Sequence, residues 1–145
     1  MITTCLGFEE NPVVINLAVH SLLARSPYHR NMDERDFERL FVPPLRLEQF
    51  LIVWRDNKPV TLATWAFPDK KDIEHYRLMN MFPAGAFYSE GHNPWVIDFI
   101  CVSGREDVLF TFRELKRHFV YMGYDRCFGL RTETGRVGKH ILRGD

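Results

Sequence analysis

Cysteine is scarce in this chain: Cys5, Cys101 and Cys127 are all that its 145 residues hold. An odd number, wide spacing and no Cys-x-x-Cys pair argue against a disulfide framework or a zinc ribbon and point to a reduced compartment. Excess charge of either sign is also missing, with 19 Lys and Arg against 19 Asp and Glu and a pI of about 7.0. Bulk electrostatics therefore give no reason to expect nucleic acid or a membrane surface as partner, and only a local basic site is left open. No apolar run approaches the roughly 18 residues of a spanning helix, so no membrane span is expected. The stretch from Met1 to Glu10 has no basic region leading into an apolar one, which predicts no signal peptide and a cytoplasmic location. Internal repeats, low-complexity tracts and linkers are absent. His75, His92, His118 and His140 lack metal-ligand spacing to neighbouring Cys or acidic residues, and His20 falls on an exposed helical position, so no metal is expected.

What is present is core. A hydrophobic fraction of 46% and an aromatic fraction of 14% suit one folded domain over residues 1–145. Val14, Leu17, Ala18 and Leu22 recur at helical spacing, predicting a helix from Val13 to Ala24 that stops near Arg25, ahead of Pro27. Asp33 is a good N-cap for a second helix, with Met32 and Phe37 placed as a hydrophobic staple and Pro43-Pro44 as its end. Phe50 to Trp54 and Val60 to Phe67 read as a hairpin about Asp56-Asn57-Lys58-Pro59. Asp69 caps a helix running to about Met81, a loop covers Phe82 to Asn93, and Trp95 to Val102 is a strand. After Ser103-Gly104 comes a helix with Val108, Phe112, Leu115 and Phe119 on one face and Gly123 as its C-cap. Arg126 to Arg131 is the last strand, followed by a polar tail. The order α-α-β-β-α-β-α-β predicts an α/β fold of the α+β kind, a mixed sheet with helices packed on it, whose β-α-β part is parallel and right-handed. This is the element order of the GNAT-like acyltransferase fold.

Two segments carry candidate chemistry. Ser26-Pro27-Tyr28-His29-Arg30-Asn31 puts a histidine just past a proline-fixed turn, and histidine is the side chain suited to proton transfer near neutral pH. Taken alone, a histidine after such a turn is more often a surface or capping residue than a base. Trp95-Val96-Ile97-Asp98-Phe99-Ile100 is an apolar strand broken by one carboxylate. Aspartate is depleted in strands, and burying it unpaired costs several kcal/mol, so Asp98 needs a partner. His29 or a structural arginine would serve.

These residues resemble the toxin-activating lysine acyltransferases, the activators of RTX haemolysins. Ser26-Pro27-Tyr28-His29-Arg30 is similar to their Ser-Pro-x-His-Arg. Arg55-Asp56-Asn57-Lys58-Pro59 with Thr64-Trp65-Ala66 is similar to their hairpin, Trp95 to Ile100 to their Trp-x-Ile-Asp-Trp-Ile strand, and Arg136-Val137-Gly138-Lys139 to their late Arg-Val-Gly-Lys. The four segments keep their order over roughly residues 14 to 140. Relatives continue past the last of them, whereas this sequence reads only to Arg143-Gly144-Asp145. The resemblance implies transfer of a fatty acyl group from acyl carrier protein to an internal lysine of a protoxin. It also implies a GNAT-like fold, a cytoplasmic setting, a tendency to dimerise and no bound cofactor, the phosphopantetheine-linked acyl group being a co-substrate. The family's catalytic histidine and aspartate fall on His29 and Asp98, with His29 as general base and Asp98 as its orienting partner.

Other positions have two readings each. Ser26 caps a turn or donates to an oxyanion, and Asn31 is a turn residue or a substrate contact. Arg131 and Arg136 are solvated charges or contacts to the acidic carrier or its phosphate. Trp65 and Trp95 read as core. Gly135 to Lys139 is not a P-loop, because Glu133 stands where a glycine is needed. Arg126 to Arg131 approaches the Arg-x-x-Gly-x-Gly pyrophosphate loop but fails at Arg131, which favours a carrier-bound acyl group over coenzyme A. Two alternatives stay open: an acyltransferase using acyl-CoA and another amine, and a non-catalytic interaction module. The second would place His29 and Asp98 far apart with no open groove.

Overall fold

The computed structural model describes residues 1–131 and 136–141, with side chains through Gly129. Five residues separate a first strand, β1 (Ile2–Leu6), from the first helix: α1 (Pro12–Arg25) starts with Asn11 Oδ1 accepting the Val13 N–H at 2.8 Å and with Pro12 in the first turn. A proline there forfeits only an N–H that has no helical acceptor. The buried line of α1 is Ile15, Ala18, Val19, Leu22 and Leu23. Val14 and Leu17, expected on that face, are exposed. The apolar residues of this helix run almost all round it, so spacing alone does not choose the face.

Asp33 caps α2 (Glu34–Leu40) as expected, its Oδ1 accepting the Asp36 N–H at 2.8 Å. Pro43 and Pro44 do not simply end a helix. They sit in the first turn of a further one, α3 (Val42–Arg46), for the same reason that Pro12 opens α1. The hairpin β2 (Phe50–Arg55) and β3 (Lys58–Ala66) forms around Asp56-Asn57, both at positive φ, as a two-residue turn between paired strands requires. Asp69 closes a capping box with Asp72 at the start of α4 (Lys70–Met79). A short 3₁₀ helix (Ala84–Tyr88) interrupts the loop before β4 (Trp95–Cys101).

The helix α5 (Arg105–Tyr121) buries Asp107, Thr111, Leu115 and Phe119. Leu115 and Phe119 were expected there, whereas Phe112 is exposed and Val108 only half-buried. Two polar side chains take their places because each has a partner. Arg55 Nε donates to Asp107 Oδ1 at 3.0 Å, and the Thr61 and Thr111 hydroxyls lie 2.8 Å apart. Gly123, at φ 98°, ends α5 with N–H bonds from Gly123 to Val120 O and from Tyr124 to Phe119 O, each 3.0 Å. That is the Schellman pattern, in which the left-handed residue is cheapest as glycine.

The six strands lie in the order β1-β2-β3-β4-β5-β6, with β5 at Arg126–Arg131 and β6 at Arg136–Ile141. All neighbours are antiparallel except β4 and β5, which α5 joins as the expected parallel pair. The sheet is therefore mixed. β1 and β6 are additions to the expected order: five residues with only Cys5 buried and a polar tail carry little hydrophobic pattern, and each finds its place by pairing with a neighbour. Helices cover both faces. α1 packs with Phe41, Phe50, Ile52, Leu62 and Ile100, and α5 packs with Leu51, Val53, Ala63, Trp65 and Val96. α4 and the 3₁₀ helix close a third cluster on Trp95 and Ile97, so both tryptophans expected in the core are there. Among the described residues, no helix is long and apolar enough to cross a membrane.

Candidate active site

The end of α1 places the histidine. Ser26 is the C-cap of that helix, and its carbonyl accepts the N–H groups of His29 at 3.0 Å and Arg30 at 2.9 Å. This turn folds His29 back under α1, where its edge meets Phe41 with ring centroids 5.9 Å apart. Only 6% of His29 is exposed. Tyr28 lies edge-on to the same ring at 4.9 Å, itself largely exposed.

A bulge places the carboxylate. Along β3 and β4 the register runs Ala63 to Phe99 and Thr64 to Asp98, then slips so that Trp65 meets Val96. Ile97 is the extra residue. A bulge breaks the strict alternation of a strand and re-aims a side chain. Here it lets consecutive residues, Ile97 and Asp98, line the same cleft. Thr64, fully buried, accepts the Asp98 N–H on its Oγ1 at 3.2 Å. Parallel pairing of β4 with β5 covers Trp95 and Val96, so Asp98 lies beyond it.

The two segments meet. His29 Nε2 is 3.0 Å from Asp98 Oδ1, and Ser26 Oγ is 2.8 Å from His29 Nδ1. A carboxylate can only accept, so Nε2 carries the hydrogen and donates to Asp98. The lone pair is then on Nδ1 and takes the Ser26 O–H. All three residues are over nine-tenths buried, and among the described residues no buried side-chain N or O atom lacks a partner. Asp98 thus has the partner its burial demanded, and it is the histidine rather than an arginine. Both His29 and Asp98 open onto a cleft of about 240 Å³ between the Ser26–Met32 turn, α2, α4 and β4. The wide separation that would point to a non-catalytic module is not what the fold produces.

The remaining candidates distribute unevenly. Ser26 joins the pair: its backbone makes the turn, while its hydroxyl goes to the imidazole rather than to a cap. Asn31 is exposed at the end of the turn and lines neither cleft beside His29. Arg131 and Arg136 are register partners across β5 and β6, and their side chains lie outside the described residues. The Arg126–Arg131 segment is a strand, not a phosphate loop. His20 is exposed, as expected, and stacks on Phe37 at 4.7 Å. Sequence reasoning missed Thr64 and Phe41. A threonine in a strand and a phenylalanine in a core carry no signal, because both are where their propensities put them.

Comparisons with known proteins bear on the fold and the family. The solved loading GNATL domain of CurA from Lyngbya majuscula superposes with a TM-score of 0.54 at 13% identity, covering 90% of this chain and 64% of that one, which shows a GNAT-like fold. The protein-lysine myristoyltransferase HlyC of Escherichia coli is 30% identical over 106 residues, covering 72% of this chain and 60% of that relative's length. The RTX-III toxin-activating lysine-acyltransferase ApxIIC of Actinobacillus pleuropneumoniae is 25% identical over 132 residues, covering 84% and 75%. The protein-lysine palmitoyltransferase CyaC of Bordetella bronchiseptica is 26% identical over 120 residues, covering 82% and 65%. A model of the RTX toxin acyltransferase family matches residues 14–125, which takes in His29, Asp98 and the sheet between them. The chain belongs to the RTX toxin acyltransferase family.

Proposed function

We propose that this protein transfers a fatty acyl group from acyl carrier protein to the ε-amino group of an internal lysine of an RTX-type protoxin, with His29 as general base and Asp98 as its partner. The observation that carries the reading is the buried 3.0 Å contact between His29 and Asp98 at a cleft, in a member of this family. The chemistry needs such a pair. Free lysine has a pKa of about 10.4, so near neutrality its amine must give up a proton before it attacks. Asp98 fixes the imidazole tautomer and stabilises the imidazolium that forms, the role of the carboxylate in hydrolase triads.

On this reading the neutral amine attacks the thioester carbonyl. A C–N bond forms, the C–S bond breaks, and the thiolate leaves on the phosphopantetheine arm. The amine proton passes to His29 Nδ1 through Ser26, whose O–H already donates there and whose oxygen can accept in turn. The imidazolium then returns its proton to the leaving thiolate. Arg131 and Arg136 remain the candidates for contact with the acidic carrier, and the cytoplasm, where that carrier resides, is the setting. The experiment is direct. Purified protein, acyl carrier protein charged with a myristoyl group and a protoxin are incubated, and acyl-lysine is sought by mass spectrometry. Acylation from the carrier supports the proposal. Acylation from myristoyl-CoA alone would replace the donor, and no acylation from either would overturn the enzyme reading.

A further inference from the structure

An acyl transfer brings two substrates to one imidazole, so the surface around His29 has to admit both. His29 and Met32 line two clefts, both with apolar walls, which differ in the charge they carry and in that only the smaller also reaches Asp98. The larger, about 540 Å³, runs along α1 and α2, with Leu23, Ala24, Phe37 and Val42 in its walls but four charged residues, Arg30, Asp33, Glu34 and Glu38, at its edge. The smaller, about 240 Å³, lies against α4 and β4, and apart from Arg39 and Asn80 its walls away from the reacting pair are Tyr28, Leu40, Tyr76, Met81, Phe82 and Ile97 with Met32. Tyr76, Phe82 and Ile97 are buried and form its floor, while Tyr28 and Met81 are exposed at its mouth. Arg39 is turned to the Phe82 carbonyl at 3.4 Å and to Asp36.

A methylene chain gains about 0.8 kcal/mol for each CH₂ taken out of water. It gains this against apolar walls and loses it where charges must be stripped of water, at several kcal/mol each. We infer that the smaller cleft seats the donor's acyl chain, carbonyl end at His29 and Asp98, and that Leu40, Tyr76, Met81 and Phe82 set the chain length accepted. The inference rests on the acyl-transfer reading above and adds to it the seat and the residues that measure the chain.

Two measurements test it. In the first, a fatty acyl group with a diazirine near its methyl end, loaded on acyl carrier protein, is irradiated with the full chain and the labelled peptides are mapped by mass spectrometry. Label on Leu40 or within residues 76–82 is expected. Label on His20 or within residues 33–38, or no label at all, would overturn the assignment. In the second, Met81→Trp narrows the mouth at an exposed position that the fold tolerates. Its rate with a myristoyl donor should fall about tenfold against wild type, while a butyryl donor stays within about twofold. Equal losses with both donors, or none with either, would also overturn it. Label within residues 76–82 without any lysine acylation by wild type would sink the enzyme reading and leave the cleft assignment standing.

Discussion

Ser26 touches the lone pair that His29 would use as a base, 2.8 Å from Nδ1. Its hydroxyl can pass a proton but is not the final acceptor, since Nδ1 can take the proton directly once the hydroxyl is gone. Ser26→Ala should therefore slow lysine acylation by about tenfold, well short of the roughly 10²–10⁴-fold expected of the base itself. Rates of acyl-lysine formation for the two variants, side by side, check this. Thr64 acts one step further out, by holding the backbone of Asp98. Thr64→Val keeps the shape but leaves that buried N–H without its acceptor, which costs about 1–3 kcal/mol. Urea unfolding should show that loss, and Thr64→Ser should restore most of it.

At the scale of elements, the hairpin and α5 are tied by Arg55 and Asp107. The Arg55 guanidinium, followed by the Ser103 hydroxyl, holds the Asp107 carboxyl below the usual carboxylate range against the opposing effect of burial. A carboxyl depressed in the folded state stabilises the fold above its unfolded pKa of about 3.9 and loses that contribution as pH falls through the lower folded value. Asp107→Asn removes the titration. Its unfolding free energy should be lower than wild type at neutral pH and should change less between about pH 5 and pH 2. Denaturant midpoints across that range test the sign, and a steeper acid loss in the variant would refute it. The elements themselves were largely legible in the sequence. Asp33 and Asp69 mark helix starts, Asp56-Asn57 marks the hairpin, and Gly123 marks the end of α5, because each is local chemistry. The faces were not. Asp107 and Thr111 are buried through partners on other strands, Arg55 and Thr61, and a count of apolar spacing on α5 cannot see them.

For the whole molecule, the same division holds at the site. His29 and Asp98 were legible as types in suggestive places, and the resemblance paired them across a sequence separation of 69. Their contact was not legible, because it depends on two non-local events: the turn after α1 folding beneath Phe41, and the bulge at Ile97 turning Asp98 toward it. The order of six strands brings those events together, since β3 carries Thr64 beside β4 while α1 packs over the same face. The measurement that bears most directly on the account is single-turnover formation of acyl-lysine on a protoxin by wild type, His29→Ala and Asp98→Asn, each first shown to be folded by circular dichroism. The account predicts that both variants lose about 10²–10⁴-fold in rate. Wild-type rates in a folded His29→Ala protein would contradict it.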